Sequence, residues 1–155
     1  MSSAAEKPAA FVVRPATVYD RPALTDFYRQ TLAIADWIPA AAKETADFEH
    51  DTVGERVLVA VNPANEPIGF VSVWEPESFI HHLYVREAEW GMGVGRSLLA
   101  HLRPLVRRPW RLKCLTANAR ALGFYRALGW RELETGMCVE GEYILFEFQD
   151  SPEPH

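Results

Sequence analysis

The apolar positions along this chain follow two rhythms, one of strands and one of helices. Phe11 to Arg14 is a short strand-like run that Pro15 ends. Thr17 to Asp20 offers capping residues ahead of an amphipathic stretch, where Leu24, Phe27, Tyr28, Thr31 and Leu32 recur at helical spacing. A second helix is expected around Ala40 to His50, entered through Pro39. Arg56 to Val61 is rich in β-branched residues and reads as a strand, followed by turn chemistry at Asn62 to Glu66. Pro67 to Trp74 gives the next strand, Glu75 to Ser78 breaks it, and Phe79 to Val85 gives a third. Three strands joined by short turns predict an antiparallel meander.

The pattern then changes. Gly91 to Gly95 is glycine-rich and opens a helix whose apolar stripe is Val94, Leu98, Leu102, Leu105 and Val106, with Pro104 expected to kink or shorten it. Trp110 to Ala117 reads as a strand, Asn118 to Leu128 as a helix stopped by Gly129, and Trp130 to Leu133 and Tyr143 to Phe148 as two closing strands. Strand, helix and strand over Phe79 to Ala117 imply a right-handed parallel crossover within an otherwise antiparallel sheet. The expectation is one α/β domain over residues 11–150, in the order β-α-α-β-β-β-α-β-α-β-β. Its sheet is mixed and mostly antiparallel, with about six to seven strands and about four helices. Residues 1–10, rich in Ala, Ser and Pro, and residues 151–155 read as tails.

The bulk properties narrow the field. A chain of 155 residues with 48% apolar and 24% charged residues is an ordinary globular composition. Its net charge of -5 argues against general affinity for nucleic acid. No apolar run approaches the length of a membrane span, and Met1 to Ala10 lacks the apolar region of a secretory signal. Cys114 and Cys138 sit in no metal spacing and read as reduced thiols of a cytoplasmic protein. His50, His81, His82, His101 and His155 form no metal-binding pair, so no metal is expected.

Three glycines between a strand and a helix point to chemistry. Glycine permits positive φ and close approach of a ligand to the backbone, and successive N–H groups ahead of a helix form an anion cradle. A phosphate or pyrophosphate is the natural guest; a tight turn that binds nothing is the plain alternative. The segment is not a P-loop, because no Gly-Lys-Ser/Thr follows. The dinucleotide pattern fails too, since Arg96 stands where its third glycine belongs and Leu112 to Ala117 carries no acidic residue.

Leu83-Tyr84-Val85 followed by Gly91-Met92-Gly93-Val94-Gly95-Arg96 resembles the acetyl-CoA signature of the GCN5-related N-acetyltransferase family. The stretch from Asn118 to Trp130 resembles that family's second motif: Asn118, a small residue at Ala121, Tyr125, Gly129 and an aromatic at Trp130. One departure is Trp90, which occupies the family's usual Gln or Arg position; Arg96 is a candidate for the compensating charge. The resemblance implies an acetyl-CoA-dependent N-acetyltransferase. The pantetheine arm would pair with backbone near Leu83 and Val85. An N–H of Leu83 or Tyr84 would polarise the thioester carbonyl. Asn118 would hold the pantetheine, and Tyr125 would protonate the leaving thiolate. A packed structural tyrosine is the alternative for Tyr125.

The resemblance leaves the general base open among His81, His82, Glu75, Glu77 and water. Strand alternation would send His81 and His82 to opposite faces and place His81 on the face of Leu83. Serotonin acetyltransferases, in the same family, use histidine on the corresponding strand, which favours His81. The acceptor would be an amine on a small molecule, an amino acid or a peptide, and a homodimer remains compatible. Its recognition is expected from Ala35 to Asp51 and from the Thr135 to Glu142 connection. The acidic residues there are Asp36, Asp47, Glu49, Asp51, Glu140 and Glu142, beside Trp37 and Phe48. A CoA-sensing module without catalysis and a nucleotide-binding regulator are the competing functions.

Overall fold

The computed structural model describes residues 11–149; the two expected tails lie outside the described residues. Seven strands form one sheet in the order β1-β2-β3-β4-β5-β7-β6. They are β1 (Val12–Pro15), β2 (Arg56–Val61), β3 (Pro67–Trp74), β4 (Phe79–Val85), β5 (Trp110–Leu115), β6 (Arg131–Cys138) and β7 (Gly141–Phe148). The helices are α1 (Arg21–Ile34), α2 (Ala40–Glu44), α3 (Phe48–Asp51), α4 (Val94–Leu102) and α5 (Ala119–Ala127). β4 and β5 are parallel and all other neighbours are antiparallel, as the sequence pattern predicts.

Two cores cover the two faces of this sheet. On one face α4 and α5 pack over Leu58, Val71, Val73, Ile80, Leu112 and Phe146. On the other, Leu24, Phe27, Tyr28 and Leu32 of α1 meet Phe48, Val59, Val61 and Phe70. Phe70 is fully buried, with edge-on contacts to Phe27, Tyr28 and Phe48 at 5.4 to 6.2 Å between centroids. Aromatic pairs in this geometry add to the hydrophobic gain of burial. The chain enters α1 through a short helical turn capped by Thr17. Asp20 accepts bonds there from the Thr17 N–H and from Arg14, both at 2.7 Å.

Four expectations change. The helix expected over Ala40 to His50 is two short ones: Asp47 leaves helical geometry and its side chain caps α3 by accepting from the Glu49 N–H. α4 stops at Leu102, two residues before Pro104, so Leu105 falls off the apolar stripe and is exposed, whereas Val106 stays buried. β5 stops at Leu115 rather than Ala117. The Thr135 to Glu142 segment is no loose connection, because β6 and β7 extend through it as a hairpin paired from Arg131↔Glu147 to Cys138↔Gly141.

Candidate active site

β4 and β5 begin side by side and then part. Their register contains a single pair, Phe79↔Arg111, so the rest of β4 has one edge without a strand partner. A cleft of about 950 Å³ opens there. Leu83, Tyr84 and Val85 line it from β4; Trp90, Gly91, Gly93, Val94, Gly95 and Arg96 line it from the turn and α4; Asn118 and Tyr125 line it from the α5 segment. Eleven of the thirteen residues expected at the site therefore share one cleft, while Met92 and His81 are not in its wall.

The glycine turn has the geometry of an anion cradle. Gly91 and Gly93 adopt φ of +83° and +84°, and a side chain at either would point into open space. Gly93 is the residue before α4, which receives no side-chain cap, so the first helical N–H groups have no side-chain acceptor among the described residues. Gly95 serves a different purpose. A Cβ there would lie 3.0 Å from Phe124 Cζ, so this glycine lets α5 pack against the start of α4. The expectation that Gly95 provides positive φ is corrected.

Trp90 is engaged within the protein. Its indole Nε1–H donates to the Val85 carbonyl at 2.9 Å, and the Arg120 guanidinium lies 4.0 Å above its ring. Asn118 caps α5, its side-chain oxygen accepting from the Ala121 N–H at 3.2 Å, which leaves its amide NH₂ to donate elsewhere. Tyr125 is 6% exposed, wedged among Phe124, Trp130 and Phe146 at 5.3 to 5.5 Å between centroids. Its hydroxyl makes no hydrogen bond among the described residues, and burial drives its pKa well above that of an ordinary tyrosine, with Cys114 and Tyr84 adding to the rise. Burial likewise pushes Tyr84 up to about 12 and the Cys114 thiol up to about 11. These three groups are all neutral near pH 7 and stand where β4 and β5 separate.

The histidines overturn the alternation argument. Ser72 pairs with His82 and Val73 pairs with Ile80, so His81 is an extra residue, a β-bulge. Ile80, Leu83 and Val85 pack with the α4 and α5 core, while Tyr84 belongs with α1. The His81 and His82 rings lie 6.2 Å apart on that α1 side rather than on opposite faces. His81 is exposed, and its Nδ1 pairs with the buried carboxylate of Glu55. His82 sits deeper: its Nδ1 is 2.7 Å from Ser72 Oγ and its Nε2 is 3.4 Å from the Tyr28 hydroxyl, which donates to Asp51 at 2.8 Å. Burial holds His82 down at about 4, with His81 nearby reinforcing the shift.

Of the residues expected to recognise an acceptor, Asp36 and Trp37 line the cleft. Phe48 is buried in the core, Asp47 caps α3, Glu49 pairs with Arg21 and Asp51 receives Tyr28. Glu140 accepts from the Cys138 thiol at 3.1 Å, and Thr116 donates to Glu142 at 3.2 Å. Sequence reasoning missed Gln30, Ile34 and Arg120 in the cleft wall. Ile34, an exposed apolar residue beside the buried stripe of α1, was the available signal. Among the described residues no group of three or more His, Cys, Asp or Glu could hold a metal ion, and no helix is long and apolar enough to cross a membrane.

Comparison with known proteins agrees with this geometry. The model of the acetyltransferase (GNAT) family matches residues 21–130. Among solved structures, a GCN5-related N-acetyltransferase from Kribbella flavida superposes with a TM-score of 0.68 at 20% identity, covering 92% of this chain and 99% of that one. The putative acetyltransferase yncA from Salmonella typhimurium, solved with its cofactor acetyl-CoA, gives 0.69 at 20% identity, covering 90% and 94%. NAA60 from Arabidopsis thaliana, in complex with a bisubstrate analogue, gives 0.66 at 19% identity, covering 89% and 97%. No curated protein matches the sequence significantly.

Proposed function

The chain belongs to the acetyltransferase (GNAT) family, and on that premise we propose that it transfers an acetyl group from acetyl-CoA to a primary amine by direct attack in a ternary complex. The observation that carries this reading is the single cleft that joins an unpaired strand edge, an uncapped glycine turn and a buried tyrosine hydroxyl. The fit to acetyl-CoA is specific in kind. Backbone donors at Val94, Gly95 and Arg96 suit a pyrophosphate, and the free edge at Leu83 to Val85 suits the amides of a pantetheine arm.

The amine nitrogen bonds to the acetyl carbon, the carbon–sulfur bond breaks, and the electrons of that bond leave with sulfur. Backbone alternation from the Arg86 N–H to Ile68 carbonyl bond turns the Tyr84 N–H to β3 and the Leu83 N–H to the free edge, so the Leu83 N–H is the one that would face the carbonyl oxygen as its charge grows. Tyr125 gives its proton to the departing sulfur. Support for that role comes from its position in the cleft wall and its unshared hydroxyl.

The incoming ammonium must first lose a proton, and His81 is the group we assign to take it, through water. Glu55 accepts from Nδ1 of His81, which fixes the tautomer and leaves Nε2 as the basic atom. His82 is the weaker candidate, since its two nitrogens are occupied and burial depresses its basicity. Asp36 and Trp37 at the cleft wall suit an amine that carries positive charge beside an apolar group. Two free thiols fit a cytoplasmic setting. The test is amine-dependent release of free CoA thiol from acetyl-CoA, measured over polyamines, amino acids and peptides with free N-termini. Release with at least one amine class, lost in Tyr125→Phe, supports the proposal. Acetyl-CoA bound without release for any amine would favour a CoA-sensing module.

A further inference from the structure

We infer that Arg120, seated over the Trp90 ring, supplies the side-chain cation for the pyrophosphate of acetyl-CoA, so that Trp90 acts as a positioning residue in place of a direct polar ligand. The inference rests on the acetyl-CoA reading above and adds two residues with distinct roles.

Among the described residues, six of the thirteen arginines are held in ion pairs with carboxylates. Arg14, Arg21, Arg56, Arg111 and Arg126 each pair with a carboxylate. Of the three arginines in the cleft wall, Arg86 is bound to Glu89 at 2.7 Å. Arg96 and Arg120 have no ion-pair partner among the described residues, and Arg120 alone rests on an aromatic face. Its guanidinium is 4.0 Å above Trp90, inside the roughly 6 Å range of a cation–π contact.

That contact places the charge at the glycine turn. Trp90 directly precedes Gly91, and its Nε1–H bond to the Val85 carbonyl ties the ring to the end of β4. Phe124 touches Gly95 at the start of α4, and Arg120 is four residues before Phe124, one helical turn nearer the N-terminus of α5 on the same face. Arg120, Gly91 and Gly93 line the same cleft, and a side chain at either glycine would meet open space. A planar guanidinium pre-set on a ring loses less freedom on binding phosphate than an unbraced one. A surface cation on a phosphate contributes on the order of 1 kcal/mol, or about fivefold in affinity.

The experiment is calorimetry of CoA and of dephospho-CoA, which lacks only the 3′-phosphate, with the parent protein and Arg120→Ala, Trp90→Leu, Trp90→Phe and the Trp90→Leu/Arg120→Ala double variant. Thermal unfolding establishes that each is folded. Arg120→Ala should weaken both ligands equally, by about fivefold. Trp90→Leu should weaken both, and adding Arg120→Ala to it should cost little more, because the brace is already gone. Trp90→Phe keeps a ring and should retain most of the affinity. Unchanged affinity in Arg120→Ala, a loss confined to CoA, or full additivity in the double variant would each overturn the inference. If the parent protein binds neither ligand, the acetyl-CoA reading itself fails, which is a separate result.

Discussion

His81 and His82 are consecutive in β4, yet their rings lie on the same side of the sheet, 6.2 Å apart, because the bulge at His81 removes one step of alternation. The two histidines nevertheless differ in chemistry. His81 is open to solvent and backed by Glu55, whereas His82 is enclosed by Ser72, Tyr28 and Phe70. His81→Ala should therefore lower kcat/KM near neutral pH and remove the acidic limb of its pH profile, while a folded His82→Ala should keep that limb. A single amine must be used throughout, since its own ionisation also bends the profile. An unchanged limb in His81→Ala would return the role to Glu75, Glu77 or water.

His82 carries a stability signature. Its folded pKa of about 4 lies below the ordinary histidine value of 6.5, so between these values the unfolded chain binds a proton that the folded protein refuses. Stability then falls as pH drops from about 6.5 towards about 4, and the deficit from this group is about 2 kcal/mol at pH 5. Urea unfolding at pH 7 and pH 5 should show that loss, and His82→Gln should reduce it. Equal pH dependence in the two proteins would remove His82 as its source. Asp20, held down at about 2 by Arg14, adds its own loss only at lower pH.

Tyr125→Phe keeps the ring among Phe124, Trp130 and Phe146 and deletes only the hydroxyl. Turnover should fall by roughly 10²-fold, the low end for a general acid, because a thiolate is a fair leaving group. CoA affinity and melting temperature should hardly move. A variant with full turnover, chemistry being rate-limiting, would exclude Tyr125 as the proton donor.

Gly93 and Gly95 should fail differently. Gly93→Val forces a β-branched residue to φ of +84° and fills the open side of the turn, so ligand binding suffers along with local stability. Gly95→Val meets Phe124 and should cost stability by overpacking α4 against α5, typically about 1 to 3 kcal/mol. Chemical denaturation of Gly95→Val checks this; undiminished stability would mean that Phe124 moves aside freely.

Much of this arrangement was legible along the chain, because a strand edge, a glycine turn and a capped helix each leave local marks. The stripe of Leu24, Phe27, Tyr28 and Leu32 is the buried face of α1, and Asn118 is the cap of α5. The break before α3 was also written locally, in Asp47 ahead of Phe48, but the apolar spacing on either side masked it. β6 was underestimated because an edge strand with a mostly exposed side-chain row lacks the alternation that marks a half-buried one. The bulge at His81 and the Arg120–Trp90 stack are different in kind. Both depend on register or packing between separate elements, and periodicity within one element carries no trace of either.

The central claim is that the cleft between β4 and β5 binds acetyl-CoA through the Gly91 to Arg96 turn. The most direct measurement is calorimetry of acetyl-CoA with the parent protein and with Gly93→Val, each verified as folded by circular dichroism. The account predicts saturable binding at one site per chain in the parent protein and affinity reduced at least tenfold, about 1.4 kcal/mol, in Gly93→Val. No binding to the parent protein, or equal affinity in a folded Gly93→Val, would contradict it.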